Sequence, residues 1–557
     1  MANTAPVDAR SHALDDSVGS GPAVSAVNVD EDKWGDPLEA LLARLGPFGF
    51  YQRYVLFLLM IPNLLAPMYS LNYIFIADRV PFRCVVPECE YDGRPQVHNA
   101  SVAQLLSQDE CRRRKPLQLD RPTCEPFHYH PEDTLPCRQF VYETQDTIFA
   151  EFGLACEEWR RTLVGTVRNA ALPIALLLTG YISDGWGRRT AFCVFSAFAG
   201  ALGLVKSYAS NYGVYLALEF FEAALGYGFN SAAYVMMVEL ARPSLRATFA
   251  CASGVAYALG GVLLAETARR VSYWRHLLRV LHTPALALPF YWLVLDETVR
   301  WLHAADRIDA AVAVVKKAAR WNKVVLEEDF IRDSMEFKED TNKKKAEGNA
   351  CFNLTRSRVL VLRFAACSFC WVAAAFVYYG LTVNSTALSG DKYTNFALNM
   401  AMEIVASLLI MMALERIGRK ISIAVAFLLC AAVSGLPLFI GSEMKRTHRW
   451  SQFAGKLFIT FAFNSLYVFT AEMFPTSARS SALAAVSLVG RIGSILAPQT
   501  PLLSETFRAL LYCGVSLCAT AAVVLVPETR RAALPQLAHH AERLRCASIR
   551  RQKRQRS

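Results

Sequence analysis

Apolar residues in this chain are collected into about twelve blocks, each close to the length of a membrane-crossing helix. About 20 apolar residues in a helix span the hydrocarbon core of a bilayer. Backbone groups that face lipid need hydrogen-bond partners within their own segment, so each block is expected to be helical. The pattern predicts an all-α membrane protein with twelve transmembrane helices. The blocks cover residues 53–76, 162–182, 190–209, 213–236, 247–267, 276–295, 359–381, 393–414, 421–441, 453–471, 481–503 and 507–527.

The positive charge of the chain lies mainly beside these blocks. The 557 residues carry a formal net charge of +11, and a strong positive charge is also found in proteins that bind nucleic acid. Here the short links GWGRR, RPSLR and RIGRK and the tail RRQKRQRS are basic, which is typical of the cytoplasmic flanks of membrane helices. We therefore expect no nucleic-acid partner. With twelve spans, both termini are expected in the cytoplasm.

The polar segment between the first two blocks, residues 78–161, is expected outside the cell. An even number of cysteines in such a loop predicts up to three disulfides, whose connectivity the sequence leaves open. Asn99 begins an Asn-Ala-Ser acceptor for glycosylation in the same loop. The disulfide candidates are Cys84, Cys89, Cys111, Cys124, Cys137 and Cys156.

Three charged motifs occur twice along the chain at nearly one offset. DGWGRR recurs as ERIGRK, VELARPSLR as AEMFPTSAR, and DETVR as PETRR, with offsets of 231 to 233 residues. Such a repeat predicts two homologous six-helix halves. The expected organisation is a cytoplasmic N-terminal segment (1–52), a first half with its extracellular loop (53–295), a cytoplasmic linker (296–357), a second half (358–527) and a basic cytoplasmic tail (528–557).

The repeated charges fall at the cytoplasmic ends of the blocks and predict a latch that opens and closes as the halves move. Asp184 can pair with Arg188 or with Arg246, and a partly exposed ion pair contributes only about 0.2–1 kcal/mol. Ordinary cytoplasmic flanking charges would explain the arginines, but not the acids or the repeated glycines. The gating candidates are Asp184, Arg188, Arg189, Glu239, Arg246, Glu415, Arg419, Glu472 and Arg479.

These motifs resemble those of the major facilitator superfamily, and more narrowly those of the organic cation, carnitine and organic anion transporters of solute carrier family 22. The segments DTIFAEFGLACE, DETVRWLHAADRIDAAVAVVKKAARWN, VYYGLTVN, YTNFALNMAMEI and AEMFPTSARSS carry the resemblance over nearly the whole chain. The chain departs from the family pattern at Gly185, where the family has a basic residue, and at Asp296 and Val299, where it has prolines.

Ionisable residues deep in an apolar block are costly, so each is a candidate for a functional site. Glu403 and Arg491 lie near the middle of their blocks and offer an acid for an ammonium group and a guanidinium for a carboxylate. The resemblance implies that this combination is the one found in carnitine-type transporters. Alternatively, the two charges neutralise each other. The other candidates are Arg168, Glu219 and Glu222; the two acids either pair with Arg168 or respond to protons or cations.

Three aromatic residues of the seventh block, Trp371, Tyr378 and Tyr379, are candidates for cation–π contacts with an alkylammonium group. Aromatic residues in such blocks also serve simply as packing, and the sequence leaves both possibilities open. Together with Glu403 and Arg491 they form the predicted substrate site.

The sequence predicts a multi-pass plasma-membrane transporter of small organic cations or zwitterions, with carnitine-like or amine substrates. Its two halves would rock around a central site. One alternative is an organic anion exchanger that uses Arg491 while Glu403 is a spectator. Another is a non-transporting surface receptor that uses the cysteine-rich loop. No phosphate loop, metal cluster or nucleophile–base set is present in the sequence. We therefore expect no enzyme activity, metal or cofactor, and the partners are an organic ion and the lipid bilayer, with any coupling ion unknown.

Overall fold

A computed structural model describes residues 37–46, 48–90, 97–98, 100–107, 109–117, 124–242, 245–336, 357–440, 444–475 and 478–530, without the side chains of Ala100, Ser101, Ala247 and Glu415. The glycosylation candidate Asn99, the side chain of the gating candidate Glu415, and segments 1–36, 337–356 and 531–557 lie outside the described residues.

The described chain is mainly helical, and ten of its helices are long and apolar enough to cross a membrane. The first half contains α2 (Phe50–Ser70), continued by the short α3 (Tyr73–Ile76), then α6 (Glu158–Trp186), α7 (Arg188–Lys206), α8 (Tyr212–Gly226), α9 (Gly228–Leu240), α10 (Arg246–Arg270) and α11 (Trp274–His282). The second half contains α15 (Arg358–Val383), α16 (Lys392–Arg416), α17 (Arg419–Gly435), α18 (Lys445–Met473), α19 (Arg479–Leu496) and α20 (Glu505–Leu525). The predicted all-α membrane fold is confirmed.

Two of the twelve predicted spans are interrupted. The fourth is divided into α8 and α9 at Tyr227, which stands between two glycines. The sixth begins as α11 and continues as a 3-10 helix over Thr283–Leu293, which contains two prolines. Glycine weakens a helix through its backbone freedom, and proline removes a backbone donor, so both breaks have a local cause.

Two large apolar cores lie in the described chain, one mainly in the first half but including Phe396 and Met400 of α16, the other in the second half, and glycines let neighbouring helices approach closely. A Cβ atom on Gly260 of α10 would lie 1.8 Å from the carbonyl oxygen of Leu64 on α2, and one on Gly493 of α19 would lie 2.1 Å from that of Val372 on α15. Between the halves, α10 packs along α16 and α6 packs along α19. The central site is therefore enclosed by helices from both halves.

The loop between α3 and α6, which the sequence predicts to be extracellular, carries two small antiparallel sheets and three disulfides. Strand β1 (Phe82–Cys84) pairs with β4 (Phe140–Tyr142), and β2 (Arg112–Pro116) pairs with β3 (Tyr129–Pro136). Two short helices, α4 (Ala100–Ala103) and α5 (Ile148–Glu151), complete it. The disulfides that the sequence left open join Cys84 to Cys137, Cys89 to Cys124 and Cys111 to Cys156, with Cα–Cα distances of 5.7, 5.2 and 5.7 Å.

We expect peptide mapping by mass spectrometry without reduction to recover these three cysteine pairs in protein purified from the cell surface. The Cα separations all lie in the range that a disulfide allows. Thiols in the membrane helices, such as the buried Cys193 and Cys430, serve as internal controls and should be recovered reduced. Recovery of the six loop cysteines as free thiols would contradict both the pairing and the outside location of the loop.

At the end of the first half opposite the disulfide-bonded loop, four short helices pack against it. They are α1 (Pro37–Arg44), α12 (Val299–Ala304), α13 (Ile308–Asn322) and α14 (Glu328–Glu336). The Asn322 side chain ties α13 to the start of α2, because it accepts a hydrogen bond from the backbone N–H of Tyr51 at 2.9 Å. Glu39 of α1 forms an ion pair with Arg300 of α12. These helices are therefore fixed to the first half rather than to the second.

Candidate functional site

Glu403, on α16, is bonded by two groups of its own half. Its Oε1 atom accepts a hydrogen bond of 2.6 Å from the Tyr378 hydroxyl and lies 2.8 Å from the Nζ atom of Lys456 on α18. The lysine side chain is fully buried, donates to Thr382 Oγ1 at 2.8 Å, and places its Nζ atom 3.2 Å from the centre of the Tyr378 ring. The predicted acid is therefore already paired with a lysine.

The sequence analysis missed Lys456 because the apolar block containing it starts at residue 453. A lysine near a block end is expected to extend to the membrane surface. In the structure α18 begins at Lys445, so Lys456 lies three turns inside the helix, at the same distance from the helix start as Glu403 in α16. The basic residue inside FAGKLFIT was the available signal.

Arg491, on α19, is surrounded by phenol groups rather than by acids. Its guanidinium interacts with the side chains of Tyr227, Tyr379 and Tyr467, and its central carbon lies 5.9 Å from the centre of the Tyr227 ring. Among the described residues, no carboxylate forms an ion pair with Arg491, which is only half-buried. The alternative that Glu403 and Arg491 neutralise each other is therefore not what the structure shows.

Trp371 lies behind Tyr467 and does not contact Glu403. Its indole N–H donates to Thr470 Oγ1 at 3.0 Å, and its ring lies edge-on to Tyr467 at 4.4 Å between centroids. It also packs against Gly490, next to Arg491 on α19. Trp371 thus supports the wall of the site through packing, whereas Tyr378 and Tyr379 lie beside the charged groups.

The first half adds two tyrosines that the sequence did not single out. Tyr227 reaches Arg491 from the break between α8 and α9. Tyr257 of α10 has its hydroxyl 3.3 Å from that of Ser70 and is close enough to Glu403 for an electrostatic interaction. Aromatic residues in apolar blocks are common, so neither carried a signal by itself, although the Gly-Tyr-Gly sequence at the break did. The site is thus lined by both halves.

A second group of buried charges lies wholly within the first half. Arg168 of α6 contacts Glu219 at 2.6 Å and Glu222 at 3.1 Å, both on α8. Lys206, at the end of α7, contacts the same two acids, with 2.6 Å to Glu219. The four side chains are at most 4% exposed, and we call them the first-half charge network. The structure thus pairs both acids with Arg168 and adds Lys206, which the sequence analysis missed.

The repeated charges, at the helix ends that the sequence predicts to be cytoplasmic, form equivalent contacts in the two halves. In the first, Arg188 binds Asp184 at 2.9 Å and Glu239 at 3.0 Å. In the second, Arg419 binds Glu472 at 3.2 Å. Arg189 stacks on Trp292, with 4.1 Å from its guanidinium carbon to the ring centre. All of these contacts stay within one half, so the predicted latch joins helices of each half and not the halves to each other.

Two predicted members of the latch stand apart from these contacts. Arg246 is exposed and, within the part of the chain that the structure describes, forms no ion pair with Asp184. Arg479 has no ion pair there either, and two of its nitrogen atoms are buried without a hydrogen bond. The short turn between α6 and α7 at Gly187 brings Arg188 to Asp184 instead.

In each half, one further carboxylate contacts the predicted latch residues. The sequence analysis did not include it among the gating candidates. Glu297 accepts hydrogen bonds from the backbone N–H groups of Arg188 at 3.1 Å and Arg189 at 3.0 Å, at the start of α7. Glu528 does the same at the start of α17, with 3.1 Å to Arg419 N and 3.1 Å to Lys420 N. A carboxylate at a helix N-terminus accepts hydrogen bonds from the free backbone N–H groups and is stabilised by the helix dipole.

Gly187 leaves room for the Glu297 carboxylate. Its φ is +103°, and a Cβ atom there would lie 2.2 Å from Glu297 Oε2. We expect Gly187→Ala to lower the free energy of unfolding of the purified protein by about 1–3 kcal/mol, since alanine is strained at positive φ. The variant should also take up substrate more slowly per transporter molecule at the cell surface. Gly185→Ala is the matched control, because nothing lies within 4 Å of its Cβ position. Equal stability and equal uptake in the two variants would contradict the inference that Gly187 is needed to make room for the Glu297 carboxylate.

The halves are held together near the ends that carry the disulfide-bonded loop. Lys392 at the start of α16 binds Asp78 at 2.7 Å, and Gln499 exchanges hydrogen bonds with Thr162 at 2.9 Å and Thr166 at 2.7 Å. Arg269 also binds Asp391 across the halves. Within the described residues, no ion pair joins the halves at the opposite end.

The sequence of the chain matches those of known transporters. Residues 138–537 match the sugar (and other) transporter family. The Drosophila melanogaster "Organic cation transporter protein" is 29% identical over 517 residues, covering 89% of this chain and 93% of the relative. Mouse "Solute carrier family 22 member 7" is 27% identical over 531 residues, covering 91% and 97%.

A solved structure shows the same fold at low sequence identity. The proton:xylose symporter XylE aligns with a TM-score of 0.56 and 14% identity, over 87% of this chain and 98% of that one. Such a likeness establishes the arrangement of helices alone. The family match over residues 138–537 shows that this chain belongs to the sugar (and other) transporter family; it is a multi-pass membrane transporter with the major facilitator fold, and its sequence is similar to those of solute carrier family 22 members.

Proposed function

We propose that this transporter carries small organic ions that bear a carboxylate, and that Arg491 binds the carboxylate. The observation that carries the proposal is the distribution of charge in the central site. Glu403 is already paired with Lys456, whereas the Arg491 guanidinium faces tyrosine side chains. The two cations and one acid leave one positive charge to be matched by substrate. A planar guanidinium also fits a carboxylate with two parallel hydrogen bonds.

This charge distribution ranks the substrate classes that the sequence left open. An organic anion needs only Arg491, and a zwitterion needs Arg491 plus access to Glu403. A cation without a carboxylate must compete with Lys456 for Glu403 and also approach the positive charge of Arg491. The order expected is anions first, carnitine-like zwitterions second and simple cations last. The Drosophila relative is named for organic cations. The charges in the central site of this chain favour a different substrate class, the organic anions.

Transport is proposed to follow alternating access between the two six-helix halves, taken as residues 53–295 and 358–527. The contacts of Asp78, Thr162 and Gln499 that close the outer end must separate for substrate to enter from outside. The disulfide-bonded loop supports a location at the cell surface, where the outside compartment is oxidising. We therefore place the protein in the plasma membrane with both termini in the cytoplasm.

An uptake screen tests the substrate class. Cells that express the full chain would be supplied with radiolabelled benzoate, carnitine or tetraethylammonium, one at a time, with the membrane potential set by potassium and valinomycin. Uptake above mock-transfected cells is expected for benzoate, weaker for carnitine and least for tetraethylammonium. A clear preference for tetraethylammonium would reject the assignment of Arg491 as the recognising group, and no uptake of any probe would favour the receptor alternative.

A further inference from the structure

We infer that Glu403, Tyr378 and Thr382 form a preorganised ammonium-binding site, and that the ε-ammonium group of Lys456 occupies it as an internal ligand. The site takes primary alkylammonium ions when Lys456 is withdrawn or absent. The inference rests on the proposed function for the role of this site in transport. If Arg491 binds the substrate carboxylate, Lys456 decides whether the substrate can also carry a positively charged group.

The surroundings of the Lys456 Nζ atom are those that an ammonium ligand requires. A carboxylate oxygen lies at 2.8 Å, a hydroxyl oxygen at 2.8 Å and the centre of an aromatic ring at 3.2 Å. The three partners supply a counter-charge, a hydrogen-bond acceptor and a negative ring face. Two of them, Tyr378 and Thr382, are one turn apart on α15, and the Tyr378 hydroxyl also donates to Glu403. The acid and the ring are thus held in place by each other as well as by the lysine.

A simple ion pair between α16 and α18 would not produce this arrangement. Glu403 alone would neutralise the lysine, so an ion pair explains one contact of the three. Placing the Nζ atom over the face of Tyr378 and against Thr382 surrounds the ammonium on several sides. A lysine has a long unbranched stem, which allows its charged end to move away while the backbone of α18 stays in place.

The position of this site relative to Arg491 makes it relevant to substrate choice. Tyr379, next to Tyr378 on α15, interacts with Arg491 and lies in the field of Glu403. An ammonium at Glu403 and a carboxylate at Arg491 would therefore both lie near Tyr379. Zwitterions can use both groups only by displacing Lys456, whereas anions leave the lysine where it is.

A truncation with chemical replacement tests the inference. Lys456→Ala removes the three outer methylenes and the ammonium group, which together correspond to n-propylammonium. We expect n-propylammonium to raise the thermal midpoint of the purified variant, with a half-maximal concentration about tenfold or more below that for the wild type, as a charge-assisted contact predicts. Lys456→Met is the matched control, because its side chain fills most of the same space without a charge. In the Glu403→Gln/Lys456→Ala double variant, n-propylammonium should no longer raise the thermal midpoint at these lower concentrations.

Equal stabilisation of Lys456→Ala and Lys456→Met by n-propylammonium, or a gain that persists in the double variant, would overturn the inference. If Lys456→Ala does not accumulate in cells, n-propylammonium in the growth medium should restore it and n-propanol should not; failure of that restoration also counts against the inference. The assay contains no carboxylate, so it gives the same result whether or not Arg491 recognises substrate. Failure of the ammonium site is therefore distinguishable from failure of the proposed function.

Discussion

Uptake of a carboxylate substrate is expected to fall about ten- to a hundred-fold when Arg491 is replaced by alanine. Loss of a hydrogen bond to a charged group is worth about 1.5–3 kcal/mol, and each 1.4 kcal/mol is about tenfold in affinity. Arg491→Lys keeps the charge but loses the planar pair of donors, so an intermediate loss is expected. The measurement is the initial rate of benzoate uptake at several concentrations, divided by the amount of transporter at the surface.

Arg270→Ala provides the control for this prediction. Arg270 is the last residue of the membrane helix α10, and its side chain is 76% exposed and pairs with Glu266 on the same helix. Its removal should leave benzoate uptake within a few-fold of wild type. Tetraethylammonium uptake, by contrast, should be equal or higher in Arg491→Ala, because one positive charge has left the site. Equal losses for benzoate and tetraethylammonium would contradict a specific role in binding carboxylates.

The fold could be predicted from the sequence because lipid imposes a simple length rule. Ten of the twelve apolar blocks correspond to helices long and apolar enough to cross a membrane, and the breaks in the other two were missed. The breaks at Tyr227 and over Thr283–Leu293 arise from glycine and proline, which a count of apolar residues does not weigh. The break matters for the site, because it brings Tyr227 to Arg491.

The charged residues of the site could be recognised, but their partners could not. Glu403 and Arg491 stood out because ionisable residues are rare inside apolar blocks. Which acid meets which base depends on helix rotation and depth, and neither follows from a single sequence. Lys456 and Lys206 were overlooked because each lies near a block end, where lysine ordinarily reaches the membrane surface. Both are fully buried in the structure.

The latch illustrates the same limit at longer range. The repeat identified Arg188 and Arg419 and the acids near them, since these residues sit in matching motifs. The caps formed by Glu297 and Glu528 join residues 109 positions apart in each half, although both acids were part of the third repeated motif. A repeat shows that residues correspond between halves, but it does not say which atoms they contact.

Replacing Arg168 by methionine is expected to destabilise the protein by about 3–5 kcal/mol, because it leaves the acids of the first-half charge network with one lysine. Two carboxylates would then share a single cation in a site that water does not reach. The thermal midpoint in detergent and the surface level in cells should both fall. Arg161→Met, on the same helix, is the control: Arg161 pairs with Glu158, which is 30% exposed, and such a pair is worth at most about 1 kcal/mol.

A compensating change separates the two roles that the sequence left open for Glu219. Adding Glu219→Gln to Arg168→Met leaves Lys206 and Glu222 as one neutral pair, so much of the lost stability should return. If the network only holds α6, α7 and α8 together, uptake should return along with the surface level. If Glu219 responds to protons or cations during transport, the double variant should be stable but slow. A double variant as unstable as the sum of its two single changes would mean that these charges do not act as a network.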